Sequence, residues 1–288
     1  MLVENHRVSP PADAEAVLDR SRLLSQHQAA IVLLQQRVSQ PQQTRVRWLD
    51  LACGRGQIIA SLHENLTDEA RRSLEYYAYD LNEPFTRSAR RMAERLDLAR
   101  VDVKIGALHD FSQFYERGFH FDFITLTNTL HEISPEALAQ VLVDGVLRLH
   151  EAGDLFLYDL ECVTPNELGA VPWTRDEAKA FVHVLTEKLA GNHYRPEVGK
   201  WTHRTTTAWN VTISKAKMGG GRLEENRTAA IDGVTAEVRR LLKDKLGRCV
   251  RALETLTTCG RETQEEEAQE VRLLYEYWAV TRALGGAQ

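Results

Sequence analysis

The stretch Trp48-Leu49-Asp50-Leu51-Ala52-Cys53-Gly54-Arg55-Gly56-Gln57-Ile58-Ile59 decides how the rest of the chain reads. It begins as the end of an apolar strand, turns through two glycines and runs into a helical pattern from Gln57 to about Leu62. A glycine turn that opens a helix lets backbone N–H groups and the positive end of the helix approach an anionic ligand. A dinucleotide site wants a third glycine three residues after the second, where helix and pyrophosphate pack closely. Ile59 stands there, and its branched side chain argues against a pyrophosphate. A Walker loop needs Gly-Lys-Ser/Thr, which the stretch lacks. The plainer alternative is a tight strand-to-helix turn that binds nothing.

Outward from that turn, strand and helix patterns alternate, the signature of a doubly wound, mostly parallel sheet. Strands are expected at residues 46–51, 75–79, 101–105, 121–126 and 155–158. Helical pieces are expected at 67–74 and from Pro84 to about Leu96. Ser134-Pro135 supplies an N-cap and a first-turn proline for another, running to about His150. Asp80 ends the second strand, at the edge where open α/β sheets bind ligands, and a carboxylate there can accept two hydrogen bonds from a diol. Asp80-Leu81-Asn82-Glu83-Pro84 also has the composition of an ordinary surface turn. The fourth strand runs out into Thr127-Asn128-Thr129-Leu130-His131-Glu132-Ile133, which places residues 128–132 at the same edge as Gly54 and Asp80. Histidine titrates near neutrality and suits proton abstraction there.

The flanks are less regular. After Pro10-Pro11, residues 12–38 carry Val17, Leu24, Ile31, Leu34 and Val38 in one stripe, a helix of about seven turns. Beyond the fifth strand, Thr174 caps a helix to about Leu189. Residues 199–217 then hold strand formers, with His193, Tyr194, Trp201 and Trp209 as pocket or, more simply, core aromatics. Gly219-Gly220-Gly221 reads as a hinge, and residues 223–284 read helical with a break near Cys259-Gly260. Arg239, Arg240, Lys243, Lys245, Arg248 and Arg251 form a basic cluster, and Glu262, Glu265, Glu266, Glu267 and Glu270 an acidic one. Two antiparallel helices with attracting or solvated faces account for this, the sharper alternative being an RNA or phosphate patch. Three regions follow: 1–45 as an N-terminal helical segment, 46–218 as a ligand-binding domain and 222–288 as a helical extension.

Composition narrows the function classes. With 36 Lys plus Arg against 41 Asp plus Glu, the net charge of −5 gives no general pull toward nucleic acid or anionic membrane. Four widely spaced cysteines, with no C-x-x-C pair, suggest neither a zinc site nor a disulfide framework, so no metal is expected. The N-terminus lacks the apolar segment of a secretory signal, and no apolar run has the length of a membrane span. A cytoplasmic protein is expected.

The acidic residue followed by small-Cys-Gly-x-Gly, the carboxylate after strand two and the Asp-x-Ile-x-Leu…Leu-His-Glu-Ile run resemble motifs one, two and four of class I S-adenosylmethionine-dependent methyltransferases. The resemblance covers roughly residues 46–215, with Ala52 standing where the family usually has its first glycine. It implies a seven-stranded sheet closed by two further strands, one antiparallel, and S-adenosylmethionine as cofactor. The turn Asp50, Ala52, Cys53, Gly54 and Gly56 would wrap the methionine end. Asp80 with Leu81 would meet the ribose, Asp110 the adenine edge, and Asn128 and Thr129 would complete the site. His131 would be either a general base, as in members with Leu-His-Asp-Trp, or a residue packed beside the cofactor. The implied partner is a small-molecule methyl acceptor at O or N, in a monomer or a homodimer, with nucleic acid and membrane not expected. The alternatives are a catalytically inactive binding or scaffold protein of the same fold, or an RNA or protein methyltransferase using its C-terminal helices.

Overall fold

Strand sequences apolar on both faces build the centre of the molecule. The computed structural model describes residues 27–40, 44–163, 169–203, 206–219, 222–259 and 263–285. In chain order the main elements are α1 (Gln28–Val38), β1 (Val46–Leu51), α2 (Gln57–Ala60), β2 (Leu74–Asp80), α3 (Glu83–Glu94), β3 (Arg100–Ile105), β4 (Phe121–Thr127), α4 (Pro135–Leu147) and β5 (Leu149–Leu160). They are followed by α5 (Arg175–Ala190), β6 (Val198–His203), β7 (Thr206–Ser214), α6 (Arg227–Cys259) and α7 (Gln264–Ala283). The strands form one seven-stranded sheet in the order β3-β2-β1-β4-β5-β7-β6. The first five are parallel, β7 runs antiparallel to β5, and β6 antiparallel to β7. This is the doubly wound sheet with its closing antiparallel pair that the sequence leads one to expect.

Two apolar layers cover the sheet. One joins Leu49, Leu51 and Ile124 to α4, α5 and the start of α6; the other joins Trp48, Tyr76 and Phe156 to α1, α2 and α3. Local signals set the helix starts. Ser134 Oγ accepts the Ala137 N–H, Asn82 Oδ1 accepts the Phe85 N–H, and Thr174 with Glu177 closes a reciprocal capping box.

Boundaries depart from expectation in two informative places. β5 begins at Leu149 rather than 155, because its first residues pair with Phe121 before an irregularity shifts the register to Phe123 and Asp154. α2 ends at Ala60 rather than Leu62, where the Ser61 hydroxyl bonds the Gln57 carbonyl and Asn65 takes the Ser61 carbonyl, side chains competing with the helix ladder. Of the expected N-terminal helix, 28–38 is helical; residues 12–26 lie outside the described residues, as do Gly220, Gly221 and Gly260.

The helical C-terminus is tied to the sheet. Ala230, Val234, Val238, Leu241 and Leu242 of α6 belong to the same apolar layer as α4 and α5. Arg227 makes two bonds to Asp144, Arg239 bonds Glu136, and Lys245 and Arg248 both reach Glu177, while Arg240 bonds Glu237 and Asp244 on its own helix. The basic cluster that read as one solvated or helix-pairing face thus anchors α6 to α4 and α5, which the spacing along a single helix does not announce. No helix among the described residues is long and apolar enough to cross a membrane.

Candidate active site

The glycine turn is shaped by backbone. Ala52, Gly54 and Gly56 all have positive φ, at 53°, 54° and 90°. At Gly56 a Cβ would sit 3.1 Å from the Ala89 Cα of α3 and 2.9 Å from Ile59 Cγ2. Glycine there lets α2 and α3 close on each other, with Ile59 filling the space beside it. Ala52 adopts the left-handed region as a non-glycine, at a cost of about 1 kcal/mol. The turn is fastened to the neighbouring strand: the Cys53 N–H donates to the Tyr79 carbonyl at 3.1 Å, and the Gly54 N–H donates to Asp80 Oδ2 at 2.9 Å. The other Asp80 oxygen accepts the Asn82 N–H at 2.8 Å. Asp80 therefore joins the turn after β1 to the turn after β2, and it is half-buried, beside the exposed Leu81.

Asp50 is placed differently. It is 1% exposed, with Oδ1 accepting from Thr125 at 2.8 Å and Oδ2 from the Tyr76 hydroxyl at 3.3 Å, while Trp48 Nε1 donates to the same Thr125 oxygen. Burial pushes its carboxyl up to about 7, partly offset by the Thr125 and Tyr76 bonds. Its side chain points between strands rather than to the open edge. Cys53 is buried as well, and burial together with the Asp50 and Asp80 charges pushes its thiol well above the ordinary range. Asp110 lies on a 3-10 helix (Leu108–Phe114) with Gln113 Nε2 on its Oδ1 at 3.0 Å. Behind this edge the Tyr79 hydroxyl donates to the Ala107 carbonyl.

The β4–β5 half of the edge is built from side chains. Asn128 has φ 53° and donates its N–H to the Tyr158 carbonyl, and Thr129 Oγ1 bonds the Thr127 carbonyl. His131 is buried. Its Nδ1 lies 2.6 Å from Asp159 Oδ1, and its backbone N–H donates to Asp159 Oδ2 at 2.9 Å. Its Nε2 lies 3.7 Å from Glu132 Oε1. Its carbonyl accepts the Val171 N–H, and Trp173 Nε1 donates to the adjacent Leu130 carbonyl. Asp159, fully buried near the end of β5, is the residue that the sequence did not single out. The signal was present: like Asp80, it follows an apolar strand run at the carboxyl edge. Trp209 and Tyr194, candidate pocket residues, are taken up by packing. Trp209 Nε1 donates to the Trp173 carbonyl inside the core, and the Tyr194 hydroxyl accepts the Ser214 N–H.

The sequence matches no curated protein. Among solved structures, it is similar to an O-methyltransferase family protein from Burkholderia thailandensis, with 18% identity, a TM-score of 0.43, and coverage of 70% of this chain and 58% of that one. It is also similar to an rRNA methylase from Streptococcus thermophilus, with 13% identity, a TM-score of 0.46, and coverage of 67% and 98%. A third is the magnesium protoporphyrin IX methyltransferase from Synechocystis PCC 6803 with bound S-adenosylhomocysteine, at 12% identity, a TM-score of 0.46, and coverage of 66% and 83%. The chain spans 58% of the length of the Burkholderia protein. Residues 49–153, from β1 through the start of β5, match the family model described as a methyltransferase domain. That match falls on the strands carrying the glycine turn, Asp80 and His131, so this part of the chain is similar to a methyltransferase domain.

Proposed function

We propose that this enzyme methylates a hydroxyl or amino group of a small molecule, with the β1–β2 edge holding the cofactor and His131 receiving the acceptor's proton. The observation that carries the reading is the buried His131–Asp159 pair at the carboxyl edge of β4 and β5. The β1–β2 edge fits S-adenosylmethionine. Left-handed residues 52, 54 and 56 keep the turn small, and the half-buried Asp80 carboxylate ends β2 beside it, where a ribose diol would meet it. Leu81, Asp110, Asn128 and Thr129 border the same edge. When bound, the cofactor supplies an electrophilic methyl group on a sulfonium.

The chain's own part is alignment and proton handling. Asp159 accepts the Nδ1 proton of His131, which fixes the tautomer and leaves Nε2 to receive a proton from the acceptor. Glu132 near Nε2 steadies the charge that then appears on the ring. The burial of the pair excludes water that would compete for the proton. A second reading has its own observation. The His131 backbone N–H and ring share one carboxylate and the side chain is 3% exposed, which suits a clamp holding the β4–α4 turn to β5.

The test is S-adenosylhomocysteine formation with a panel of small phenols, alcohols and amines alongside RNA and peptide. Turnover on a small hydroxyl or amine is expected; transfer confined to RNA or peptide would retire the small-molecule assignment. In parallel, Asp80→Ala is expected to weaken cofactor affinity about tenfold or more, the range for hydrogen bonds to a charged group. Unchanged affinity by calorimetry would remove Asp80 from the ribose role.

A further inference from the structure

We infer that the outer face of the α6–α7 hairpin is a docking surface for a second copy of this chain, two hairpins meeting antiparallel about a two-fold axis. With 33 residues, α6 is about 50 Å long, at 1.5 Å per residue. Its first half is buried against α4 and α5, but after Cys249 no described residue of α6 is buried, and α7 buries only Ala279 and Val280. Among the described residues, the far half of the hairpin is therefore two helices with no third layer. A helix whose apolar stripe has nothing to pack against exposes it, and a clustered exposed apolar patch marks an interface.

The stripe is present. Of nine large hydrophobics exposed among the described residues, five belong to this hairpin: Val250, Val271, Leu274, Tyr277 and Trp278. Val271, Leu274 and Trp278 follow i, i+3, i+7 spacing and leave 64%, 50% and 42% of their surface exposed. Val250 and Tyr277 meet in a groove between the two helices, so the stripe on α7 continues onto α6.

Charge along the hairpin names the occupant. The Cys249 thiol is bonded to Glu276, which sets the two helices level there. By that register the exposed Lys243 lies about 12 Å from the centre of the stripe toward the sheet, and the exposed Glu267 about 11 Å toward the tip. The stripe is thus flanked by an exposed cation on its sheet side and an exposed carboxylate on its tip side. A two-fold axis through the stripe stacks apolar on apolar and sets Lys243 of each copy beside Glu267 of the other, the self-complementarity that an isologous dimer requires. That exposed carboxylate repels nucleic acid and anionic lipid, which would have to lie along the same face.

The test is sedimentation velocity on the full chain across a concentration series, with circular dichroism as the check on folding. A dimer is expected, with Leu274→Glu plus Trp278→Glu raising its dissociation constant by roughly tenfold or more, as buried apolar anchors do. Lys243→Glu should also weaken it, and adding Glu267→Lys should restore it. The restoration arm keeps the question open to decision even if the double glutamate variant misfolds. A wild-type monomer at every concentration, a dimer indifferent to Lys243→Glu, or a monomer that binds RNA through this face with steep salt dependence each overturns the inference.

Discussion

The two halves of the sheet's carboxyl edge are built from different materials. Under β1 and β2 the geometry is made by backbone: three left-handed residues in a row of five, and a carboxylate bonded to two N–H groups. Under β4 and β5 it is made by side chains, a histidine and an aspartate 28 residues apart, with Trp173 and residue 171 bonded over them. A backbone-built half forgives changes of side-chain identity but not of conformation. A side-chain-built half has the opposite tolerance. The largest contrast is at His131. If its ring receives the acceptor's proton, His131→Ala should lower turnover by about two to four decades while cofactor affinity stays put. If it is a clamp, the same variant should lose stability and cofactor affinity together. A denaturation curve and a binding titration on one preparation separate the two.

The same contrast explains what was legible. The glycine turn, Asp80 and the strand order are local and periodic, and a two-glycine turn between a strand and a helix specifies its backbone within a dozen residues. Strand formers at 199–217 were legible, while their antiparallel closure of the sheet came from the family resemblance. The place of Asp159 at the end of an apolar run was legible, but its pairing with His131 was not, and neither was the anchoring of α6, whose cations pair with residues 71 and 103 positions away. The early start of β5 was hidden for a related reason: His150 and Glu151 are polar and exposed, and the strand begins with the pairing of Leu149 to Phe121 across the sheet.

Asp50 tests the backbone-built half from inside. Its carboxyl sits at about 7 in the folded protein against 3.8 in the unfolded chain, with burial the main cause. The folded state therefore holds a proton that the unfolded state releases between those values. Stability from this group is full below about pH 4 and is lost as pH rises to about 7, by at most about 4 kcal/mol. Asp50→Asn cannot ionise and should flatten that part of the pH–stability curve. Coincident curves for the two proteins would show that Asp50 is not held neutral.

A smaller effect follows at the turn itself. Gly56→Ala forces a side chain into φ 90° and against the Ala89 backbone, so a loss of about 1–3 kcal/mol is expected by chemical denaturation. Ala52→Gly removes a left-handed strain and adds unfolded-state entropy, so its net effect should stay within about 1 kcal/mol. The pair asks whether conformation rather than chemistry governs this half. Equal losses at both positions would break the contrast.

The smallest effect belongs to the other half, at Tyr158 of β5. Its hydroxyl is buried and has no hydrogen-bond partner among the described residues, while its ring packs edge-on against Trp201 at 5.9 Å between centroids. Burial and the Asp159 charge hold the phenol in its neutral form, its pKa pushed well up. A neutral donor left unpaired in an apolar layer is a net expense, and Tyr158→Phe keeps the ring while removing it. The fold should gain up to about 1 kcal/mol, with KM and kcat unchanged, if the hydroxyl serves nothing. If instead the hydroxyl meets the acceptor, the variant should raise KM for that acceptor while leaving kcat and cofactor affinity as they were. Either outcome says whether the side-chain-built half ends at the His131–Asp159 pair or extends one residue deeper along β5, and a stability loss above about 1 kcal/mol would contradict both by revealing a bonded hydroxyl.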